Sequence, residues 1–295
     1  MVMPSDIGVI DTMMGLPSTD RRWWAASMAA TLKDAESRSG FQHAAGYMFK
    51  DLPQVERTVT AVDELLAAMD AFGINKALVP ISFDDTLSIE AVTSHPDRLL
   101  GCISADPNLG AEGIRRIRRA KTEVGAVAVG FFPCGCVPIV AINDPAVYPV
   151  YATCEELGMP VFVNVGVPGP RVPMHAQRVE HLDEVMYDFP ELRVVMRHGG
   201  EPWDDLAVKL MLKWPNLYYS TSAFAPKHYP KSILDYANTR GADKVIYAGY
   251  YPYGLTLERS FAELGDLPLN ERVWPKFLRG NAEHVLGLDA SGTQR

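Results

Sequence analysis

The sequence predicts an α/β protein built as a single distorted (β/α)8 barrel, and three observations carry that expectation. Eight short apolar runs rich in β-branched residues are spread along the chain. Segments of helical period stand between them, several ending in Gly or Asn before the next run. The runs are mostly continuous rather than alternating, as parallel strands buried on both faces are.

The first run is GVID from Gly8, ending in Asp11. KALVPIS follows from Lys76, LLGCISADP from Leu99, AVAVGFFP from Ala126 and PVFVNVG from Pro160. RVVMRHGG from Arg193, NLYYSTSA from Asn216 and KVIYAGYYP from Lys244 complete the set. Helix-period segments lie at 58–74, 146–159 and 203–215. An open doubly wound sheet is the alternative, weakened because no GxGxxG fingerprint follows an early strand. The chain, 1–295, therefore reads as one domain.

One segment exceeds a minimal barrel. Residues 14–57 precede the first long helix and carry Trp23, Trp24, His43, Tyr47, Met48, Phe49 and Lys50. A connection after strand one emerges at the C-terminal, catalytic face, so it is expected to form a lid, with His43, Tyr47 and Lys50 reaching substrate. A packing flap or an oligomer contact is the other use of such a segment, which leaves a homo-oligomer open.

Composition narrows the partners. Apolar residues make up 47% of the chain and charged residues 22%, enough to bury a large core. A net charge of −8 speaks against a nucleic-acid surface. The one basic cluster, Arg115, Arg116, Arg118, Arg119 and Lys121, falls on a predicted helix and is expected to face solvent. No apolar stretch reaches the ~18 residues of a membrane span. Asp6, Asp11, Asp20, Arg21 and Arg22 interrupt any signal-peptide pattern. Four cysteines do not make a disulfide scaffold, and Cys134-Gly-Cys136 is too short for a CxxC motif. The expectation is a soluble cytoplasmic protein with reduced thiols and a small-molecule partner, touching neither nucleic acid nor membrane.

Several segments together resemble a known family. MPVFVNVGVPG is similar to the fifth strand, RVVMRHGGEPW to the sixth and VIYAGYYPYG to the eighth strand of the amidohydrolase-related barrels. That group contains aminocarboxymuconate semialdehyde decarboxylase and related decarboxylases and hydrolases. LLGCISADPN resembles its third strand, and FLRGNAEHVLGL (277–288) its C-terminal helix. The departures concern the metal. The resemblance implies Asp-x-His-x-His on strand one, where this chain has Asp11-Thr12-Met13-Met14-Gly15. It implies a His on strand five, where Asn164 stands, and an Asp on strand eight, where Tyr250 stands. Met13, Gly15, Asn164 and Tyr250 cannot supply the three or four donors a zinc-type or manganese-type ion needs, so no metal and no cofactor is expected. His198, at the end of strand six, matches the family's acid/base.

Without a metal, water activation loses its main route, whereas proton transfer by His survives. The expected catalytic residues are His198, Asp11 as its electrostatic partner, and Tyr250. Asn164, Met13, Tyr251, Glu201, His43 and Tyr47 are expected to contact substrate. The implied function is a metal-independent lyase, decarboxylase or hydrolase acting on a small carboxylated, carbonyl-containing or aromatic compound. Two other readings stand beside it. One is a metal-dependent enzyme with unorthodox ligands such as His198, Asp11 and Glu201; the other is a non-catalytic binder. Simpler roles are bonding of backbone groups at the barrel floor for Asp11, packing for Tyr250 and Tyr251, and helix capping for Glu201.

Overall fold

A computed structural model describes residues 3–4, 6–16, 31–39 and 62–288. Eight parallel strands pair in chain order. They are β1 (Val9–Asp11), β2 (Ile74–Ile81), β3 (Leu99–Ala105), β4 (Ala128–Phe131), β5 (Val161–Asn164), β6 (Val194–Arg197), β7 (Leu217–Ser220) and β8 (Val245–Ile246). Helices follow most strands, as the alternating pattern predicts. The seam between β8 and β1 is made by Thr12, whose N–H and Oγ1 donate to Tyr247 O at 3.4 and 2.9 Å. Gly249 N donates across it to Asp11 Oδ1 at 2.9 Å. A two-residue β8 and this irregular seam are the distortion of the barrel.

Strand parity sorts the core into two layers. Val9, Val79, Ile103, Val129, Val194 and Tyr247 belong to the outer layer, packed with the helices. Ile10, Leu78, Leu100, Ala128, Phe162, Val195 and Ile246 form the inner layer, joined by Ala282, Val285 and Leu286. Those last three come from the C-terminal helix Asn281–Leu286, inside the 277–288 segment that the sequence predicts. Burying Val285 and Leu286 there contributes roughly 1.5–3 kcal/mol each. The buried Asn281 explains itself: its Nδ2 donates to Ala242 O and Val245 O at 2.9 and 2.8 Å, tying the helix to the start of β8. This helix plugs the N-terminal end of the barrel and leaves the C-terminal end as the open face.

In the insertion, residues 31–39 include a short helix, Ala35–Ser39. Arg171, in the loop after β5, holds this piece by ion pairs to Asp34 and Glu36 at 3.0 and 2.8 Å. It therefore docks at the C-terminal face. His43, Tyr47, Trp23, Trp24 and Lys50, expected in the lid, lie outside the described residues. The basic helix Ala111–Arg119 faces solvent as expected, its arginines paired with Glu112, Asp84, Glu156 and Glu123. No helix among the described residues is long and apolar enough to cross a membrane.

Candidate active site

Two strand residues locate the open lumen. Pro80 and Ser104 are exposed, although Val79, Ile81, Ile103 and Ala105 beside them are buried in the outer layer. Helices cover the outside of these strands, so the exposed surface faces the lumen above the inner core. Active sites of such barrels gather at this C-terminal end. Asn164 and His198, both half-buried, end the neighbouring strands β5 and β6. The Asn164 amide makes no hydrogen bond to a described residue.

His198 is held in an unusual way. Its φ is +65°, a left-handed backbone rare for a side chain with a Cβ, and Gly199 and Gly200 continue it at +85° and +72°. Ser222, just past β7, fixes it twice: its Oγ accepts from the His198 backbone N–H at 3.1 Å and lies 3.2 Å from Nδ1. Ser220 Oγ also donates to Ser222 Oγ, at 3.3 Å. With both acceptor positions of Oγ used, its own hydrogen falls to Nδ1, which leaves Nε2 as the N–H of the neutral ring. Burial, then the neighbouring Arg197 charge, pushes the His198 pKa down to about 3, so the free imidazole is neutral at physiological pH. Part of its surface still reaches the lumen, but protein encloses the rest. Tyr250 stands edge-on to the ring, with centroids 5.7 Å apart and planes at 79°.

Ser222→Ala leaves Nδ1 unpaired and frees the ring to turn. Such a loss costs about 1–3 kcal/mol, so kcat is expected to fall roughly ten- to hundredfold with the fold retained. Steady-state kinetics beside circular dichroism checks this; unchanged kcat removes Ser222 from the site.

Arg197 is the residue that sequence reasoning passed over. It follows the inward-facing Val195 by two positions, so it points into the barrel, and it is 8% exposed. Its guanidinium carbon lies 4.7 Å from the centre of the Phe162 ring. Nη2 reaches Thr12 O at 3.5 Å and Cys102 Sγ at 3.8 Å, while Nε has no partner. Among the described residues no carboxylate pairs with it. Gly130 lies beside the group: a Cβ there would stand 3.4 Å from Nη1, in ordinary van der Waals contact.

Asp11 is not the partner of His198. It follows the inward-facing Ile10 and therefore belongs with the outer layer. Its Oδ1 accepts from Met13 N and Gly249 N, both at 2.9 Å, and it is fully buried. Oδ2 has no partner, and burial raises the carboxyl pKa to about 7. The neighbouring Tyr247 hydroxyl is also unpaired, and the Asp11 charge helps raise its pKa well above the ordinary value. The expected Asp11–His198 pair does not form: Asp11 Oδ1 is taken by Met13 and Gly249, and Ser222 takes the place beside Nδ1.

The positions where the resemblance implies ligands hold Met13, Gly15, Asn164 and Tyr250. Gly15 has no room for a side chain, because a Cβ there would lie 2.6 Å from the Tyr253 ring and 2.7 Å from Pro252. Met13, Asn164 and Tyr250 supply no carboxylate, imidazole or thiolate. Among the described residues no group of three or more His, Cys, Asp or Glu could hold an ion. The unorthodox set of His198, Asp11 and Glu201 does not assemble either. Glu201 is exposed and does not cap the following helix Asp204–Lys213, whose first turn has no side-chain cap. Tyr251 is half-buried, and its carbonyl accepts from Gly15 N at 2.7 Å. The Cys134 thiol donates to Pro173 O, and burial pushes its pKa up to about 12; the Cys136 thiol is raised further. Neither is an activated nucleophile.

Solved structures share this architecture. An uncharacterized TIM-barrel protein from Bordetella bronchiseptica is 23% identical, with a TM-score of 0.72 over 95% of this chain and 98% of that one. The 5-carboxyvanillate decarboxylase of Sphingomonas paucimobilis is 18% identical, with a TM-score of 0.67 over 96% and 99%. Its counterpart from Novosphingobium aromaticivorans, with bound manganese and 3-methoxy-4-hydroxy-5-nitrobenzoic acid, is 17% identical, with a TM-score of 0.69 over 97% and 99%. At these identities the likeness shows the fold. No curated protein sequence matches the chain. The amidohydrolase family matches residues 18–288, nearly the whole length, and the chain belongs to that family.

Proposed function

We propose that this protein is a metal-independent lyase that decarboxylates a small aromatic carboxylic acid, with His198 as the acid/base. The observation that carries the reading is the clamped His198, open to the lumen, beside family metal positions that hold Met13, Gly15, Asn164 and Tyr250. The aromatic acids named for the decarboxylases of the same fold support the substrate class. Decarboxylation needs a proton delivered to the ring carbon that bears the carboxylate. The new C–H bond forms, the C–C bond to the carboxylate breaks, and its electron pair restores the ring as CO2 leaves.

His198 is neutral in the free protein, so it must take up its proton as the substrate binds. A bound carboxylate raises the imidazole pKa by its charge. Nδ1–H then donates to Ser222 Oγ, whose hydrogen turns towards Ser220. Tyr250 and Asn164 hold the substrate's polar groups in this scheme.

The test is CO2 release from 5-carboxyvanillate and simple hydroxybenzoates by chelator-treated protein, beside elemental analysis. Release that survives chelation, with far less than one zinc, manganese or iron per chain, is expected. One tightly held ion per chain, whose removal abolishes turnover, overturns metal independence. No release from any of these acids rejects the substrate class.

A further inference from the structure

We infer that Arg197 is an anion anchor on the floor of the lumen, where its guanidinium binds the carboxylate of a small aromatic acid. The inference rests on the proposed function only in taking the lumen as the substrate site.

A buried cation without a counter-ion is among the costliest arrangements a protein keeps. Arg197 is more than nine-tenths buried, and its protein partners are weak. One carbonyl at 3.5 Å and one thiol at 3.8 Å are long contacts for a guanidinium, and Nε has none. The Phe162 ring lies against it, 4.7 Å from ring centre to guanidinium carbon. The lumen above it offers polar groups with no hydrogen-bond partner among the described residues: the Asn164 amide, whose residue pairs with Arg197 in register, and the exposed Ser104 hydroxyl.

A guanidinium whose Nε is unpaired and whose Nη2 contacts are long keeps donors for a carboxylate, which accepts two parallel N–H bonds. The single positive charge suits a monoanion better than a phosphate dianion. The Tyr250 ring, edge-on to His198, adds a face for an aromatic ring. The left-handed backbone of His198 breaks the strand alternation and the Arg197 charge acts on its ring, so the anchored carboxylate lies near the group that is to deliver a proton.

The test is calorimetric binding of benzoate and its neutral analogue benzamide to the full chain. Wild type is expected to prefer benzoate by about ten- to hundredfold. Arg197→Met loses that preference while benzamide affinity stays within about twofold. A purely structural role would move both ligands together. If the variant fails to fold, the Arg197 Nε–H resonance of wild-type protein decides instead, shifting with benzoate and not with benzamide. His198→Asn keeps the benzoate preference, so failure of the acid/base reading is told apart from failure of the anchor. Equal affinity for the two ligands, absence of benzoate binding, an Nε–H resonance unmoved by benzoate, or the same preference in Arg197→Met overturns the assignment.

Discussion

Replacing His198 by Asn lowers kcat by about 10²–10⁴ while the fold persists. Asparagine keeps much of the size and can bond Ser222, so the clamp that links β6 to β7 survives. It cannot take up and release a proton near neutrality. It also tolerates the left-handed backbone at this position better than most residues, so the +65° φ adds no penalty. The loss therefore belongs to proton transfer rather than to unfolding. Turnover of an aromatic acid by variant and wild type, with matched circular dichroism and thermal melts, reads the effect. Wild-type turnover in a folded variant would move the acid/base role away from His198.

The pH profile carries the same assignment further. A group with a pKa of about 3 in the free protein is almost wholly neutral at pH 7. If the bound carboxylate raises the imidazole pKa, His198 takes its proton from solvent as substrate binds, and binding is coupled to proton uptake. Wild type should show that uptake in buffers of different ionisation enthalpy, and the Asn variant should not.

The barrel was legible because buried parallel strands announce themselves as continuous apolar runs, and all eight fall where the runs predict. The C-terminal helix was legible through the resemblance of 277–288 to the family's last helix, and Asn281 within it satisfies two carbonyls at the barrel's base. The site was less so, because it depends on parity and on partners distant in sequence. Asp11 ends an apolar run, which fits a catalytic strand end, yet a one-residue alternation turns it to the outer layer. Ser222 lies 24 residues from His198, with no local pattern to join them. Arg197 could have been found. A cation two positions after an inward valine, inside an otherwise apolar strand, has no solvent to face and calls for a reason.

Asp11→Asn flattens the dependence of stability on pH between about 4 and 7. The carboxyl has a pKa of about 7 in the folded protein against an ordinary 3.8, because burial disfavours the charged form more than the two backbone N–H groups favour it. In that window the folded state keeps the proton and the unfolded state has lost it. Stability from this group is fully present below about pH 4 and is lost as pH rises through 7, at about 1.4 kcal/mol per unit. Across the window the loss is roughly 4 kcal/mol, a large part of a typical domain's stability. Asparagine keeps an oxygen for Met13 and Gly249 and has no proton to lose. Denaturant titrations of both proteins at pH 4.5, 6 and 7.5 remove contributions common to the two, so the difference between them isolates Asp11. Wild type should lose stability relative to the variant at each step upward in pH. Parallel curves would mean that the carboxylate is ionised in the folded protein and that its unpaired Oδ2 has found a partner.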